Sequence, residues 1–143
     1  MAGQTSPQDA ALRTASCSCG GLSITVTAPP VRVHACCCLN CQKESGSSFT
    51  YTAFFDEAAI AGVDGDHRRW GQSMGTGQGG ELNFCPTCGA RVFLRLEGLP
   101  GVVGIAVGYF SDPDFQKPAT IYWWRRHHRW LPAPAGVETQ DTQ

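Results

Sequence analysis

The chain has 143 residues, a length that suits one domain and leaves little room for a second independent core. Eleven Lys and Arg against 12 Asp and Glu give a formal charge of -1, which argues against nucleic acid or an anionic membrane as a partner. Charged residues make up only 16%, and 17 glycines with 9 prolines favour turns over long helices. We therefore expect a mainly β domain.

Both ends of the chain lack apolar periodicity. Residues 1–16 and 132–143 are therefore expected to be flexible tails, with the domain at residues 17–131. No apolar run approaches the ~18 residues that span a bilayer, and no basic segment followed by an apolar one opens the chain. These features predict a soluble, cytoplasmic protein that contacts no membrane.

Short alternating or aromatic runs predict strands in chain order. Residues 22–27 alternate between apolar and polar side chains, and residues 31–35 repeat the alternation as a partner strand would. The aromatic run at residues 49–55 predicts another strand, followed by one helical turn at residues 56–60. The glycine-rich residues 71–80 predict a loop at a rim. Later strands are predicted at residues 91–96, 102–107 and 119–124.

Eight cysteines fall into three close groups along the chain. In a reducing cytoplasm such spacing indicates metal binding, because thiols stay reduced and near neighbours gain little from a disulfide. Cysteines one to three residues apart in a turn can direct their sulfurs at a single ion about 2.3 Å away. The groups are Cys17 with Cys19, then Cys36, Cys38 and Cys41 with Cys37 between them, then Cys85 with Cys88.

The first and last groups together supply four thiolates. Such a set completes a tetrahedron around zinc and leaves no position for a substrate, so Cys17, Cys19, Cys85 and Cys88 predict a structural zinc site. This zinc would hold the N-terminal strand against the hairpin that contains the last pair. The alternative is a bare turn with free thiols.

The middle group supplies three thiolates from Cys36, Cys38 and Cys41. Three ligands leave a fourth position for water or a thiol, as in catalytic zinc sites. Two alternatives remain: a second structural zinc completed by Cys37 or His34, or a redox cluster without metal. In an extended segment Cys37 would point away from its neighbours, which argues against it as a ligand of the same ion.

Together these motifs resemble one known family. CSCGG, then CxCxxC running into Gln42, Lys43 and GSSF, then NFCPTCGARV, with a late Pro118 and Trp130, are similar to the glutathione-dependent formaldehyde-activating enzyme family, also called the Gfa or CENP-V-type domain. The resemblance covers roughly residues 17–131. One departure from the pattern is Cys37, which stands where relatives often carry His or another polar residue.

The resemblance implies a β-tent fold of several coiled antiparallel sheets around two zinc sites. It implies a structural zinc at the four-cysteine set and a catalytic, labile zinc at Cys36, Cys38 and Cys41. The implied activity is addition of glutathione, or another small thiol, to formaldehyde or a related small aldehyde, a carbon-sulfur lyase reaction run in reverse. The alternative is a non-enzymatic, zinc-stabilised module that binds a protein or a small thiol.

Two smaller features of the sequence are candidates for binding a ligand. Gly46, Ser47 and Ser48 can offer N–H and hydroxyl donors to a ligand carboxylate, or can merely form the turn after the cysteines. The basic residues 125–129 between two tryptophans resemble a nucleic-acid contact, but one short cluster in an acidic chain is better explained as a solvated strand end.

Overall fold

The computed structural model describes residues 12–72 and 79–143, and within these ranges it confirms a mainly β fold. One α-helix, α1 (Leu39–Ser45), accompanies the strands, together with short 3-10 turns. The strands are β1 (Arg13–Ser16), β2 (Ser23–Val26), β3 (Arg32–Cys36), β4 (Thr50–Asp56), β5 (Ile60–Asp64), β6 (Arg68–Gln72), β7 (Gly80–Phe84), β8 (Arg91–Leu96), β9 (Val102–Ala106), β10 (Thr120–Tyr122) and β11 (Glu138–Thr139).

The described strands form two sheets. A three-stranded sheet has the order β1-β2-β5, and an eight-stranded sheet has the order β11-β10-β3-β4-β9-β8-β7-β6. Most pairs are antiparallel, but β10 runs parallel to both β3 and β11, which corrects the expectation of antiparallel sheets only. The strands predicted at residues 22–27 and 31–35 correspond to β2 and β3, and their expected pairing with each other is wrong. Instead, β3 pairs with β4 and β10, whereas β2 pairs with β1 and β5.

The main core lies between the two sheets. Leu22, Ile24 and Val26 from the segment around β2 are almost fully buried, and they belong to one cluster with Phe55 of β4 and Ile105 of β9. Alternation along each strand explains this arrangement, since every second side chain of β2 and of β9 points to the same layer. The predicted short run at residues 102–107 is thus a central strand of the large sheet.

The opposite face of the eight-stranded sheet is formed by the other alternate residues. The register places Phe54, Gly104, Leu94 and Leu82 in one row across β4, β9, β8 and β7. On the same face, two residues along, His34 of β3 lies opposite Thr52 of β4. This second face does not pack on the main core and is available to line a cavity.

The segments expected to be tails contribute strands. Arg13–Ser16 forms β1, with Ala15 fully buried, because its alternate side chains complete the small sheet against β2. Glu138–Thr139 forms β11 beside β10. Flexible tails are therefore wrong for these residues, while residues 1–11 lie outside the described ranges, as does most of the loop expected at residues 71–80. The boundaries 17 and 131 of the domain stay a prediction.

The short helical segments agree only in part with the expectations from the sequence. The helical turn after β4 is confirmed as a 3-10 turn at Glu57–Ala59. The helix α1, which was not predicted from the sequence, ends at Gly46 in the left-handed conformation. The β-tent name implied by the resemblance stays an expectation. No helix in the described ranges is both long enough and apolar enough to cross a membrane.

Candidate metal centres

The first cysteine cluster joins the two sheets. Cys17 and Cys19 lie in the turn between β1 and β2, and Cys85 and Cys88 lie in the turn between β7 and β8, with all four sulfurs within 4.8 Å of one another. The Sγ atom of Cys19 is 3.6 Å from the Sγ atoms of both Cys17 and Cys85. Four sulfurs around one zinc ion lie about 3.8 Å apart when each is about 2.3 Å from the metal. The donor set and its spacing therefore fit a closed tetrahedral metal site.

The two halves of this cluster are built alike. The N–H of Cys17 donates to the carbonyl of Leu22, and the N–H of Cys85 donates in the same way to the carbonyl of Ala90. The residues directly after the second cysteine of each pair, Gly20 and Gly89, have φ angles of 81° and 77°. Glycine adopts this left-handed conformation without the steric cost that other residues incur. Each of these glycines thus lets the chain reverse direction after its cysteine pair, so that the two sulfurs of the pair point towards one position.

Backbone N–H groups support negative charge on these sulfurs. The N–H of Leu22 is 3.2 Å from the Cys17 sulfur, and the N–H of Thr87 is 3.4 Å from the Cys85 sulfur. Hydrogen bonds from the backbone of Ala90 and then of Cys19 lower the pKa of the Cys88 thiol to about 6. The pKa of Cys19 is instead raised to about 11, because the N–H of Gly21 lowers it by less than the sulfurs of Cys85 and Cys17 raise it. The backbone N–H groups thus favour thiolates, the form that binds metal, while the four sulfurs together need a cation to hold them all charged.

The second cluster lies where β3 meets α1. Cys36 ends β3, Cys38 is the N-cap of α1, and Cys41 is in the first turn of α1, with the three sulfurs within 4.8 Å of one another. The Cys38 sulfur accepts a hydrogen bond of 3.3 Å from the N–H of Cys41. A strand end, a cap and a helix turn therefore bring three thiols together over six residues of chain.

Charge is shared unequally within this cluster. Hydrogen bonds from the thiols of Cys36 and Cys41 lower the pKa of Cys38 to about 2. The same interaction with Cys38 raises the pKa of Cys36 to about 12, and interactions with Cys36 and Cys38 raise the pKa of Cys41. Without a cation the three sulfurs thus hold one negative charge, because further deprotonation would place like charges in contact. A divalent cation removes that penalty, so the cluster is suited to binding one.

Neither proposed completing ligand belongs to this second cluster. Cys37 is fully buried in a separate apolar group with Ala35 and Ile121, on the side of β3 away from Cys36. His34 lies on the Cys36 side but outside the set of sulfurs within 4.8 Å. Within the described ranges, the second cluster therefore offers three ligand atoms, which leaves one tetrahedral position open.

A family comparison agrees with this arrangement. The family model of the glutathione-dependent formaldehyde-activating enzyme, GFA, matches residues 12–126, a range that contains both cysteine clusters. The chain belongs to the GFA family. The resemblance predicted from the motifs is thereby confirmed. No curated protein matches the chain.

In this GFA-family chain, the three-cysteine cluster forms part of the wall of a cavity of about 310 Å³. His34, Thr50 and Thr52 line the cavity near Cys36, on the adjacent strands β3 and β4. His34 is 9% exposed, its ring packs against Phe54 with 4.8 Å between ring centres, and its Nδ1 atom has no hydrogen-bond partner within the described part of the chain. Burial, reinforced by the charge of Arg32, lowers the pKa of His34 to about 4, so the imidazole is neutral.

These cavity residues carried no motif. The signal that could have found His34 is its spacing of two from Cys36 on a strand, because alternate residues share a face. Thr50 and Thr52 show the same spacing on β4, but only the pairing of β4 with β3 places them beside the cysteines. That pairing joins residues distant in sequence and cannot be deduced from local patterns.

A second cavity of about 690 Å³ adjoins the first and shares Glu44, Thr50, Thr52, Leu82 and Leu94 with it. Its remaining wall is rich in hydroxyl groups and includes Arg91, whose Nη1 atom is 4.0 Å from Oε1 of Glu44. Burial raises the pKa of Glu44, while the charge of Arg91 opposes that effect. The larger cavity thus offers one cation, one anion and several hydroxyl groups.

The residues predicted to bind a ligand carboxylate lie elsewhere. Gly46, Ser47 and Ser48 line a separate hollow with Gln42 and His128, and they do not line the cavity at the three cysteines. The N–H groups of Gly46 and Ser47 donate to the carbonyl of Gln42, and Ser48 Oγ is 3.3 Å from His128 Nδ1. These groups are engaged in ending α1, as the turn alternative predicts, and their role in ligand binding stays a prediction.

Proposed function

We propose that this chain is a zinc-dependent, carbon-sulfur lyase-type enzyme that adds glutathione, or another small thiol, to formaldehyde or a related aldehyde. The observation that carries the proposal is the cluster of Cys36, Cys38 and Cys41, whose sulfurs lie within 4.8 Å of one another in a cavity wall. Membership in the GFA family supplies the reaction class.

The three cysteines would hold the catalytic zinc ion, and their chemistry fits it. Thiolates are preferred zinc ligands, and a three-ligand site leaves one position for an exogenous group. When bound, zinc supplies positive charge that favours the thiolate form of a thiol and polarises a carbonyl oxygen. Cys38, as the helix N-cap, keeps the cluster charged by accepting the N–H of Cys41.

The neighbouring side chains orient the aldehyde and exclude water. His34 is neutral and buried, so it can donate to or accept from the aldehyde oxygen without carrying a charge into the cavity. Thr50 and Thr52 place hydroxyl groups on the same wall. As the carbon-sulfur bond forms, the thiol proton is transferred and the aldehyde oxygen becomes a hydroxyl group. These residues can exchange that proton over a short distance.

The larger cavity suits the thiol substrate. Glutathione carries carboxylates and an ammonium group, and Arg91 and Glu44 offer the complementary charges beside the cysteine-lined cavity. Their separation of 4.0 Å is a loose ion pair, so each can turn to a ligand at little cost. The polar part of the thiol would therefore bind near Arg91 and Glu44.

The four-cysteine cluster would hold a second, structural zinc ion. Its four sulfurs leave no open position, and it joins the turn after β1 to the turn before β8. We also propose a cytoplasmic location, where thiols remain reduced and available to metal.

The test compares variants of neighbouring cysteines. Exchange between formaldehyde, glutathione and their adduct is followed by NMR with the zinc-loaded protein, with the spontaneous rate subtracted. We expect Cys38→Ser to lose at least tenfold of the protein-dependent rate. Cys37→Ala, which removes a thiol outside the cluster, should retain the rate within about twofold.

Zinc content by mass spectrometry provides the second measurement. Two zinc ions per chain are expected, one of them removed by a mild chelator and protected by glutathione. If both ions are tightly held and indifferent to glutathione, and no aldehyde exchange is accelerated, the enzymatic proposal is rejected. The non-enzymatic binding module would then be the function to pursue.

A further inference from the structure

The cavity at Cys36, Cys38 and Cys41 is too large for formaldehyde. Its volume of about 310 Å³ corresponds to about ten groups the size of a water molecule, since water takes about 30 Å³ in the liquid. Formaldehyde has two non-hydrogen atoms. Formaldehyde would therefore fill only a small part of the cavity, and the rest must take part of the thiol or a larger aldehyde.

The wall of the cavity is mainly apolar, with polar residues at the cysteines. Near the cysteines the lining residues include His34, Thr52 and Glu44. Most of the remaining wall is formed by aliphatic and aromatic side chains, with Glu81 of β7 as a charged residue among them. The apolar residues are Phe54, Leu82, Leu94, Leu96, Leu99 and Trp123. A ligand that fills the cavity must therefore have a polar group at the cysteines and an apolar remainder.

Two backbone features support a cavity that is built rather than accidental. Gly104 lies in the row between Phe54 and Leu94, and a Cβ atom there would approach Phe54 Cε1 to 2.9 Å and Leu94 Cδ1 to 3.0 Å. The glycine thus leaves room for these side chains to form the floor. Trp123 has a φ of 57°, a conformation rare for a bulky residue, and its side chain lines the cavity. Strained residues of this kind are concentrated at functional sites.

We propose that the aldehyde used by this chain carries an apolar chain or ring of about five to eight carbon atoms, with its carbonyl group at the cysteines. The inference rests on the proposed function and specifies its substrate. The thiol is the polar reactant, because Arg91 lines the adjoining cavity and not the apolar one, while its ion-pair partner Glu44 lies where the two cavities meet. The step forms one carbon-sulfur bond, converts the carbonyl to a hydroxyl that takes the thiol proton, and oxidises nothing.

The experiment compares aldehydes of increasing length with glutathione and zinc-loaded protein. Formaldehyde, acetaldehyde and hexanal are followed by exchange NMR, each relative to its own spontaneous rate. We expect the acceleration for hexanal to exceed that for formaldehyde at least tenfold. Acceleration of formaldehyde without hexanal would overturn this inference and leave the proposed function standing, whereas acceleration of no aldehyde would overturn both.

A variant and a competitor test the position of the apolar part. Leu96→Trp fills the cavity, and it should reduce the hexanal acceleration at least tenfold and more strongly than the formaldehyde acceleration. Leu39→Trp, at a leucine that is 52% exposed outside this cavity, is the matched control and should change neither. If Leu96→Trp does not fold, inhibition by 1-hexanol replaces it. Inhibition of hexanal exchange by 1-hexanol supports the inference, and its absence up to millimolar concentration contradicts it.

Discussion

Gly104 of β9 and Leu94 of β8 are cross-strand neighbours, and a Cβ atom on Gly104 would lie 3.0 Å from Cδ1 of Leu94. The same atom would lie 2.9 Å from Cε1 of Phe54 and 3.0 Å from Cγ2 of Thr52. Three side chains from two strands thus converge over one glycine. Because all three line the cavity at the cysteines, the absence of a side chain at Gly104 determines how closely its floor can pack.

Gly104→Ala should therefore destabilise the protein. Alanine in a strand interior is ordinarily favoured over glycine by roughly 0.5–1 kcal/mol. Here the added methyl group must displace Phe54 and Leu94, and overpacking costs typically about 1–3 kcal/mol. We expect a net loss of about 1 kcal/mol in the free energy of unfolding, measured by urea denaturation. Gly62→Ala in β5, where a Cβ atom meets nothing within 4 Å, is the control and should be neutral or stabilising.

The two cysteine clusters should differ in their contribution to stability. Cys88→Ser removes a thiol of the four-cysteine cluster, where we propose a structural zinc ion that connects the two sheets, so we expect loss of one zinc ion and several kcal/mol of stability. Cys38→Ser should also lose one zinc ion, with a much smaller change in melting temperature. Calorimetry and zinc content of both variants are the measurements. Equal destabilisation by the two substitutions would contradict an open, catalytic second site.

Gln42 should be a strong contributor to stability despite lying near the surface. Its Nε2 atom donates to the carbonyls of Cys37 at 2.8 Å and Arg126 at 2.9 Å, and its Oε1 atom is 3.0 Å from His128 Nε2. Gln42→Leu removes these hydrogen bonds, and each hydrogen bond of this kind contributes about 0.5–1.5 kcal/mol to the free energy of unfolding. We expect a loss of about 1–3 kcal/mol in urea denaturation.

The neighbouring Lys43 provides the control for Gln42. Its side chain is exposed on the same helix, so Lys43→Leu changes the same type of position without removing these hydrogen bonds. A change below about 0.5 kcal/mol is expected, as for ordinary surface substitutions. If both variants lose the same stability, the hydrogen bonds of Gln42 are not the cause.

The contribution of β1 to the fold can be tested within a single strand. Ala15 is fully buried against the main core, whereas the adjacent Thr14 is exposed. Ala15→Asp places a charge in the core and should cost more than about 3 kcal/mol or prevent folding. Thr14→Asp should cost less than about 1 kcal/mol. Thermal unfolding of both variants distinguishes a strand that is part of the core from a dispensable tail.

The two cysteine clusters could be predicted from the sequence because their residues are grouped along the chain. Cys36, Cys38 and Cys41 meet through local geometry, a strand end followed by a capped helix turn, which spacing alone can indicate. The opposite orientation of Cys37 also follows from alternation along an extended segment. Six of the strands could be predicted for the same reason, since alternation and aromatic or β-branched runs are local properties, whereas β1, β5, β6, β7 and β11 were not predicted.

Sheet pairing and the tails were predicted less well. Residues 13–16 contain one small apolar side chain, Ala15, and only the presence of β2 and the main core makes its burial favourable. The parallel pairing of β10 with β3 joins residues about 86 positions apart, as Thr120 and His34 illustrate. No local pattern encodes such a partner. Alternating side chains indicate that a segment is an extended strand, but they do not indicate which strand pairs with it.

The amino-acid sequence alone is sufficient for the family, the mainly β class and the two ligand sets, because each depends on residue types at short spacing. The cavity depended on the tertiary structure. His34, Thr52, Gly104 and Leu94 come from four strands, and they share one face only because the register of the large sheet aligns them. All the neighbours of a strand together decide which of its two faces packs on the core. In this fold the face that carries these residues does not pack on the main core, so a cavity remains beside the cysteines.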